Sequence, residues 1–357
     1  LHSFPTRRSS DLWSYFRSYE LFETQLGDTG TVIVGPNGTG KTNLLEAIYI
    51  ALRGTSFRGS LLDCMRHQTV HSIIHLETNS QPRRVQLLRS ADNAITKEFT
   101  IADSTSKTLP RKHRLPVVLF EPNDLRLISS SPQRRRDFLD GLLSRLDATY
   151  DAQLRIFNRT LLQRNELLKH HPENAAEWRD HLFAWDIKFV QAANALATAR
   201  AHFLYTYEKR LELLYASLAG KQTPFTVEYL PSVGLDNYEQ FLLDRLQRSR
   251  EYELATGYTS AGPQREDFLI SLHSRPAIKV ASRGEMRTIM LAFKLLELEL
   301  QTERTKHRPL ILMDDVFSEL DATREKLLQE TIQHHQFVVT TTDARHQKDG
   351  CLIISTQ

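Results

Sequence analysis

Cysteine is nearly missing from this chain: of 357 residues only Cys64 and Cys351 carry a thiol. Two thiols make no disulfide framework, and neither is flanked by the His and Cys spacing of a zinc site, which fits a reducing compartment. No run approaches the ~20 consecutive apolar residues that cross a bilayer, so no membrane partner is expected and the predicted location is cytoplasmic. A surplus of one charge is missing too. The 46 Lys+Arg and 43 Asp+Glu leave +3, so any affinity for nucleic acid must rest on local patches. There is no internal repeat and no low-complexity tract. What remains is an ordinary globular composition, 40% apolar and 25% charged, long enough for two or three domains at roughly 100–200 residues each.

Residues 1–12 show neither period-2 nor period-3.6 apolar spacing and are expected to be a non-native or disordered extension; Arg7-Arg8-Ser9-Ser10 has no apolar region beside it to make a targeting signal. From Trp13 the chain alternates. Tyr15 to Phe22 reads as a short strand, and Thr31 to Val34 as a buried one. Leu44, Leu45, Ile48 and Leu52 recur at helical spacing, which predicts a helix over Thr42–Leu52 with one buried face. Short alternating runs between His71 and Thr100 predict a small antiparallel sheet, and Val117–Phe120 another buried strand. From Gln133 to about Gly220 apolar residues recur every three or four positions, broken near His170-His171-Pro172, as in long paired helices. A strand at Phe225–Leu230 and a helix near Asn237–Ala255 follow. The last hundred residues return to strands (Phe268–Leu272, Leu310–Met313, Phe337–Thr340) and a helix from Ser282 to about Leu300.

Gly35-Pro36-Asn37-Gly38-Thr39-Gly40-Lys41-Thr42 satisfies G-x-x-x-x-G-K-[ST] between a buried strand and a helix. Glycines let the backbone wrap an anion closely, and loop amides with the positive helix end point at the phosphate. Lys41 then bridges the β- and γ-phosphates of ATP, and the Thr42 hydroxyl ligates Mg²⁺. Far along the chain, the apolar run Leu310–Met313 ends in Asp314-Asp315, at the carboxyl end of a strand, where open α/β sheets hold ligands. Asp314 suits Mg²⁺, and Asp315 suits orienting the attacking water. A solvated strand end is the plainer alternative. Thr42 and Asp314 stand 272 residues apart, so the chain leaves the nucleotide core and returns. Before the return comes Ser282-Arg283-Gly284-Glu285, a Ser at a helix start: either a second anion site or a simple N-cap.

The order of phosphate loop, Ser-x-Gly-Glu helix, acid-tipped strand and Ser318-Glu319-Leu320-Asp321 resembles the ABC-type ATPase heads of SMC proteins and related repair ATPases. Within that group the chain resembles the RecF recombination-mediator family. The shared segments include Phe16-Arg17-Ser18-Tyr19, Asn43 to Tyr49, Ser56-Phe57-Arg58, Leu119 to Leu125, Arg134 to Asp140, and Gly262-Pro263-Gln264-Arg265-Glu266-Asp267. The implied fold is α/β: an ABC-type ATPase head, with a P-loop sheet core and an antiparallel β lobe, over 13–131 and 257–357, and a helical insertion over 132–256 as a second domain. The resemblance also implies ATP and Mg²⁺ as cofactors, Lys41, Asp314 and Asp315 as catalytic residues, and Ser282, Gly284 and Glu285 reaching ATP held by a second copy. Two features depart from such heads. Glu121 to Asp124 stand where a lobe-connecting Gln is usual, and Thr340-Thr341-Thr342-Asp343 replace a switch His, so hydrolysis is expected to be slow.

For function, the resemblance implies a weak, DNA-stimulated ATPase of replication, recombinational repair and the SOS response. It implies an ATP-dependent homodimer on double-stranded DNA near single/double-strand junctions, working with RecR and RecO to load RecA. Candidate phosphate contacts are Arg111, Lys112 and Arg114, Arg134 and Arg135 beside Arg136, and the pair Arg83-Arg84. Each run is also readable as a solvated face, and Arg135 and Arg136 as partners of acids on their own helix. The alternatives are an SMC-like structural head and an ABC-type ATPase of unrelated role.

Overall fold

A computed structural model describes residues 11–78, 81–122, 124, 127–170, 175–343 and 352–355. In chain order the strands are β1 (Asp11–Phe16), β2 (Tyr19–Thr24), β3 (Gly30–Val34), β4 (His71–Leu76), β5 (Arg83–Arg89), β6 (Ile95–Ile101) and β7 (Ser104–Ser106). They continue with β8 (Val117–Phe120), β9 (Phe225–Leu230), β10 (Asp267–Leu272), β11 (Arg275–Pro276), β12 (Leu310–Asp314), β13 (Phe337–Thr341) and β14 (Leu352–Ser355). The helices are α1 (Lys41–Arg53), α2 (Pro132–Leu146), α3 (Ala148–Lys169), α4 (Ala175–Ala219), α5 (Tyr238–Arg248), α6 (Arg250–Thr256), α7 (Ala277–Val280), α8 (Arg283–Thr305) and α9 (Ala322–Ile332). None of them is long and apolar enough to cross a membrane.

The chain forms two compact units, one of Leu1–Asp124 with Glu297–Gln357 and one of Leu125–Leu296. The first holds a parallel sheet in the order β14-β3-β13-β12-β8 and an antiparallel sheet in the order β2-β1-β4-β5-β6-β7. Strands β8 and β12 are buried nearly throughout, as uninterrupted apolar runs require of central parallel strands, whereas β4 alternates between buried and half-buried positions. Helix α1 touches strands of both sheets. It is therefore buried almost all round, Glu46, Ala47, Ile50 and Ala51 included, and not on the single face that the spacing predicted.

The expected strand Tyr15–Phe22 is a hairpin, because the non-glycine residues Tyr15 (φ 52°) and Arg17 (φ 50°) adopt left-handed conformations that turn the chain. Asp11 and Leu12, expected in the extension, pair in β1 with Thr24 and Glu23. The rest of that expectation, with Arg7 to Ser10, lies outside the described residues, as do Cys351, His171 and Pro172.

In the second unit α2, α3 and α4 pack with the sheet β11-β10-β9. The predicted boundary at 256/257 gives way to one at 296/297, because β9 and β10 pair with each other and lie on α4 and α2. The helix expected over Asn237–Ala255 breaks at Ser249 into α5 and α6, where Arg250 binds Asp186 (2.9 Å) and Glu253 binds the buried Arg164 (2.7 Å). Arg164 also reaches Asp186 at 2.8 Å and Thr259 at 2.7 Å, so its charge and donors are met inside the core. A second network holds the Gly262–Asp267 segment: Arg200 donates to Asp140 and to the Pro263 carbonyl (2.8 Å each), and the buried Glu266 accepts from the hydroxyls of Tyr229 and Tyr238 and from Ser232 N (2.8 Å).

Candidate nucleotide-binding site

Three parallel strands of the first unit, β3, β13 and β12, lie side by side and end at one edge of their sheet. The loop Gly35–Thr42 follows β3, Asp314-Asp315 close β12, and Thr340-Thr341 close β13. Gly38 (φ 87°) and Gly40 (φ 95°) occupy the left-handed region, which is what lets the loop curl with its amides inward. A Cβ on Gly38 would meet no atom within 4 Å, so that side of the loop is open for an anion. A Cβ on Gly40 would lie 2.7 Å from Ser18 Oγ and 2.9 Å from the Tyr19 hydroxyl. Gly40 also caps α1, whose first amides complete the cradle.

Lys41 is buried, and its ammonium donates to the carbonyls of Gly35 and Pro36 (2.7 Å each). Thr42 Oγ1 donates to the Asp314 carboxylate at 2.8 and 3.0 Å, so a hydroxyl and a carboxylate from distant parts of the chain meet in one place. Burial pushes the Asp315 carboxyl up from its ordinary value, against the hydrogen bond from Ser318 and the charge of Lys41. Its Oδ1 is buried with no hydrogen-bond partner, and Asp315 stands in a left-handed conformation (φ 48°) rare for a non-glycine residue. A burial-raised carboxylate with one unbonded oxygen, beside a phosphate-type loop, is able to accept a proton from a water at that edge. The donor set also suits a hard divalent ion. Hydroxyl and carboxylate oxygens are what Mg²⁺ takes alongside phosphate oxygens and water.

Sequence reasoning left the roles of Arg17, Ser56, Tyr19 and Thr340 unassigned. Arg17 binds Glu46 through two hydrogen bonds (2.8 Å each), joining the β1–β2 turn to α1, and Ser56 donates to the same carboxylate (2.5 Å). The Tyr19 hydroxyl donates to Thr39 O (3.3 Å). Thr340 reaches both Asp314 and Asp315. The available signal was position, since Thr340 lies near the end of a central strand and opens the run that stands in place of a switch His.

Ser282, at the start of α8 in the second unit, forms a capping box: its hydroxyl accepts from Glu285 N (3.2 Å), while Glu285 accepts from Ser282 N (2.9 Å). The bond from Ser282 N holds the Glu285 carboxyl below its ordinary value. Ser282 and Arg283 are exposed, and Gly284 is half-buried in the first turn.

The basic candidates divide. Arg111, Lys112 and Arg134 are exposed, while Arg114 donates to Leu109 O (3.3 Å). Arg135, read as a DNA contact, is instead tied to Asp267 (Nε–Oδ1 3.0 Å) and to Ser130 O (2.6 Å). Arg136 donates to Glu266 O (2.8 Å), so neither uses an acid of its own helix in that role. Arg83 is 3% exposed and donates to Ala51 O (3.2 Å) near the end of α1, leaving Arg84 as the exposed member of that pair.

A family model described as "RecF/RecN/SMC N terminal domain" matches residues 12–355. The DNA replication and repair protein RecF of Chlorobium phaeobacteroides (strain BS1) is 32% identical over 347 residues, which cover 94% of this chain and 94% of that protein. The chain belongs to the RecF family. The RecF of Staphylococcus epidermidis (strain ATCC 12228 / FDA PCI 1200) is also 32% identical, over 92% of this chain and 91% of its own. A solved structure described as "Structure of the recombination mediator protein RecF-ATP in RecFOR pathway" superposes with a TM-score of 0.82 at 27% identity, covering 95% of this chain and 93% of its own. The α/β fold with an ABC-type ATPase head is thus that of RecF, in an ATPase family whose curated members act in DNA replication and repair.

Proposed function

We propose that this RecF-family chain binds ATP at Gly35–Thr42 and, so loaded, dimerises on duplex DNA near single/double-strand junctions. In this reading it works with RecR and RecO to load RecA, and slow hydrolysis resets it. The observation that carries the proposal is the meeting of Lys41 and Thr42 with Asp314 and Asp315 at one sheet edge. Lys41 exchanges its two carbonyl partners for phosphate oxygens. Thr42 and Asp314 hold the Mg²⁺ that accompanies the nucleotide and offsets its charge. Asp315 orients the attacking water and takes its proton. Ser282, Gly284 and Glu285 of a second copy complete the site, the exposed serine reaching the γ-phosphate.

ATPase assays with and without duplex DNA test the chemistry. Lys41→Met is expected to lose nucleotide binding, and Asp315→Asn to keep binding while hydrolysis falls about 10²-fold. Ser282→Arg is expected to keep nucleotide affinity and lose ATP-induced dimers in light scattering. Dimers that survive Ser282→Arg in a protein with an unchanged thermal midpoint would overturn the two-copy site.

A further inference from the structure

We infer that Thr340 is the positioning residue of the hydrolytic site, a single hydroxyl that sets both carboxylates of the Asp314-Asp315 pair. Strand β13 runs between β3 and β12, and in the register of the sheet Thr340 faces Ile33 on one side and Asp314 on the other. Its end therefore stands between the phosphate loop and the acidic pair. Thr340 is fully buried, and the residues preceding it in the strand, Phe337, Val338 and Val339, are apolar. A hydroxyl in that run costs free energy unless it is paired, and this one has partners on both acids, with the Met313 carbonyl farther off at 3.4 Å. Thr340 Oγ1 donates to Asp314 Oδ1 at 2.8 Å and accepts from Asp315 N at 3.0 Å.

The direction of the two bonds matters. A hydroxyl has one proton, and the shorter, charged acceptor Asp314 (2.8 Å) takes it in preference to the Met313 carbonyl (3.4 Å), which leaves the lone pairs for the Asp315 amide. Asp314 Oδ1 also accepts from Thr42, so the carboxylate is held between two hydroxyls and its rotation is fixed. On the other side, the Asp315 amide is shared between Thr340 Oγ1 and Thr340 O (3.1 Å). This double anchor holds Asp315 in its left-handed conformation, the one that leaves its Oδ1 buried and unbonded. Thr340 touches neither nucleotide nor water in this role; it acts through the two acids.

The inference rests on the proposed ATPase reading, and its test is chosen to separate the two. Thr340→Val keeps the shape and removes the hydroxyl, whereas Thr340→Ser keeps the hydroxyl and removes a methyl. Outer-shell partners of metal-site ligands typically contribute 10–100-fold. Thr340→Val is therefore expected to lower kcat by about 10-fold or more with KM for ATP changed less than about 3-fold, and Thr340→Ser to stay within about 3-fold of wild type. A second readout needs no turnover. Affinity for a fluorescent ATP analogue is measured across a Mg²⁺ titration against EDTA, and the Mg²⁺ midpoint is expected to rise about 10-fold in Thr340→Val and to stay put in Thr340→Ser. An inert wild type would sink the ATPase reading, while the Mg²⁺ titration still decides for or against Thr340. Wild-type kcat and an unshifted Mg²⁺ midpoint in Thr340→Val would overturn the inference. So would a fall of about 10-fold or more in kcat of folded Thr340→Ser, which also decides the matter should Thr340→Val not fold.

Discussion

At the scale of single residues, the phosphate loop shows two glycines needed for different reasons. Both Gly38 and Gly40 have positive φ, so alanine at either is strained by about 1–2 kcal/mol. At Gly38 that strain is the whole effect on the free protein, because an added Cβ meets nothing within 4 Å. At Gly40 the added Cβ also presses on Ser18 Oγ and the Tyr19 hydroxyl, the tip of the β1–β2 hairpin. Gly40→Ala is accordingly expected to lower the thermal midpoint clearly more than Gly38→Ala, while both lose nucleotide affinity because the methyl group intrudes on the cradle. Paired melting curves and nucleotide titrations check this, and equal midpoints would mean that the hairpin gives way freely.

The elements are joined by side chains whose pairing the sequence hides. Arg17, in the β1–β2 turn, and Glu46, in α1, lie 29 positions apart, and Glu46 is fully buried. Burial alone would raise the Glu46 carboxyl, but the hydrogen bonds from Arg17 and Ser56 outweigh it and hold it below the ordinary value. A depressed folded value stabilises the fold above the unfolded value, near 4.3, and that stability fades as pH falls through the folded one. In Arg17→Met the same carboxyl is buried without its closest cation, with Ser56 and the more distant Arg58 (4.0 Å) beside it. That is expected to cost about 3 kcal/mol at pH 7, toward the low end for broken buried pairs because the Arg17 side chain is 21% exposed. The gap to wild type is expected to narrow toward pH 4, where Glu46 of the variant is protonated; denaturant unfolding at the two pH values measures it, and a gap independent of pH would exclude the charge explanation. The long strands, α1, the phosphate loop and the acidic pair were legible because each depends on local period or spacing. The hairpin at Arg17 was not, since its left-handed residues are a tyrosine and an arginine and not glycines. Nor was the full burial of α1, which depends on a second sheet that the helix's own pattern cannot announce.

For the whole molecule, a formal charge of +3 gives no general pull on DNA, so the proposed binding depends on which cations are left uncommitted. The sequence presents Arg134, Arg135 and Arg136 as one run, yet folding separates them. Arg134 stays exposed, while Arg135 is tied to Asp267, 132 positions away, and Arg136 to the backbone of Glu266. Each cation that neutralises a duplex phosphate contributes about 0.9 to the slope of log affinity against log salt. Arg134→Ala and Lys112→Ala are therefore each expected to lower that slope by about 0.9 between roughly 50 and 200 mM salt in anisotropy titrations with duplex DNA. Arg135→Ala is expected to leave the slope unchanged and to lower the thermal midpoint, since it leaves Asp267 without its partner. If Arg135→Ala lowered the slope as Arg134→Ala does, with no loss of stability, the ion pair with Asp267 would have to open on DNA. The run would then act as one patch, as its sequence suggests, and the count of phosphates held by α2 would rise accordingly.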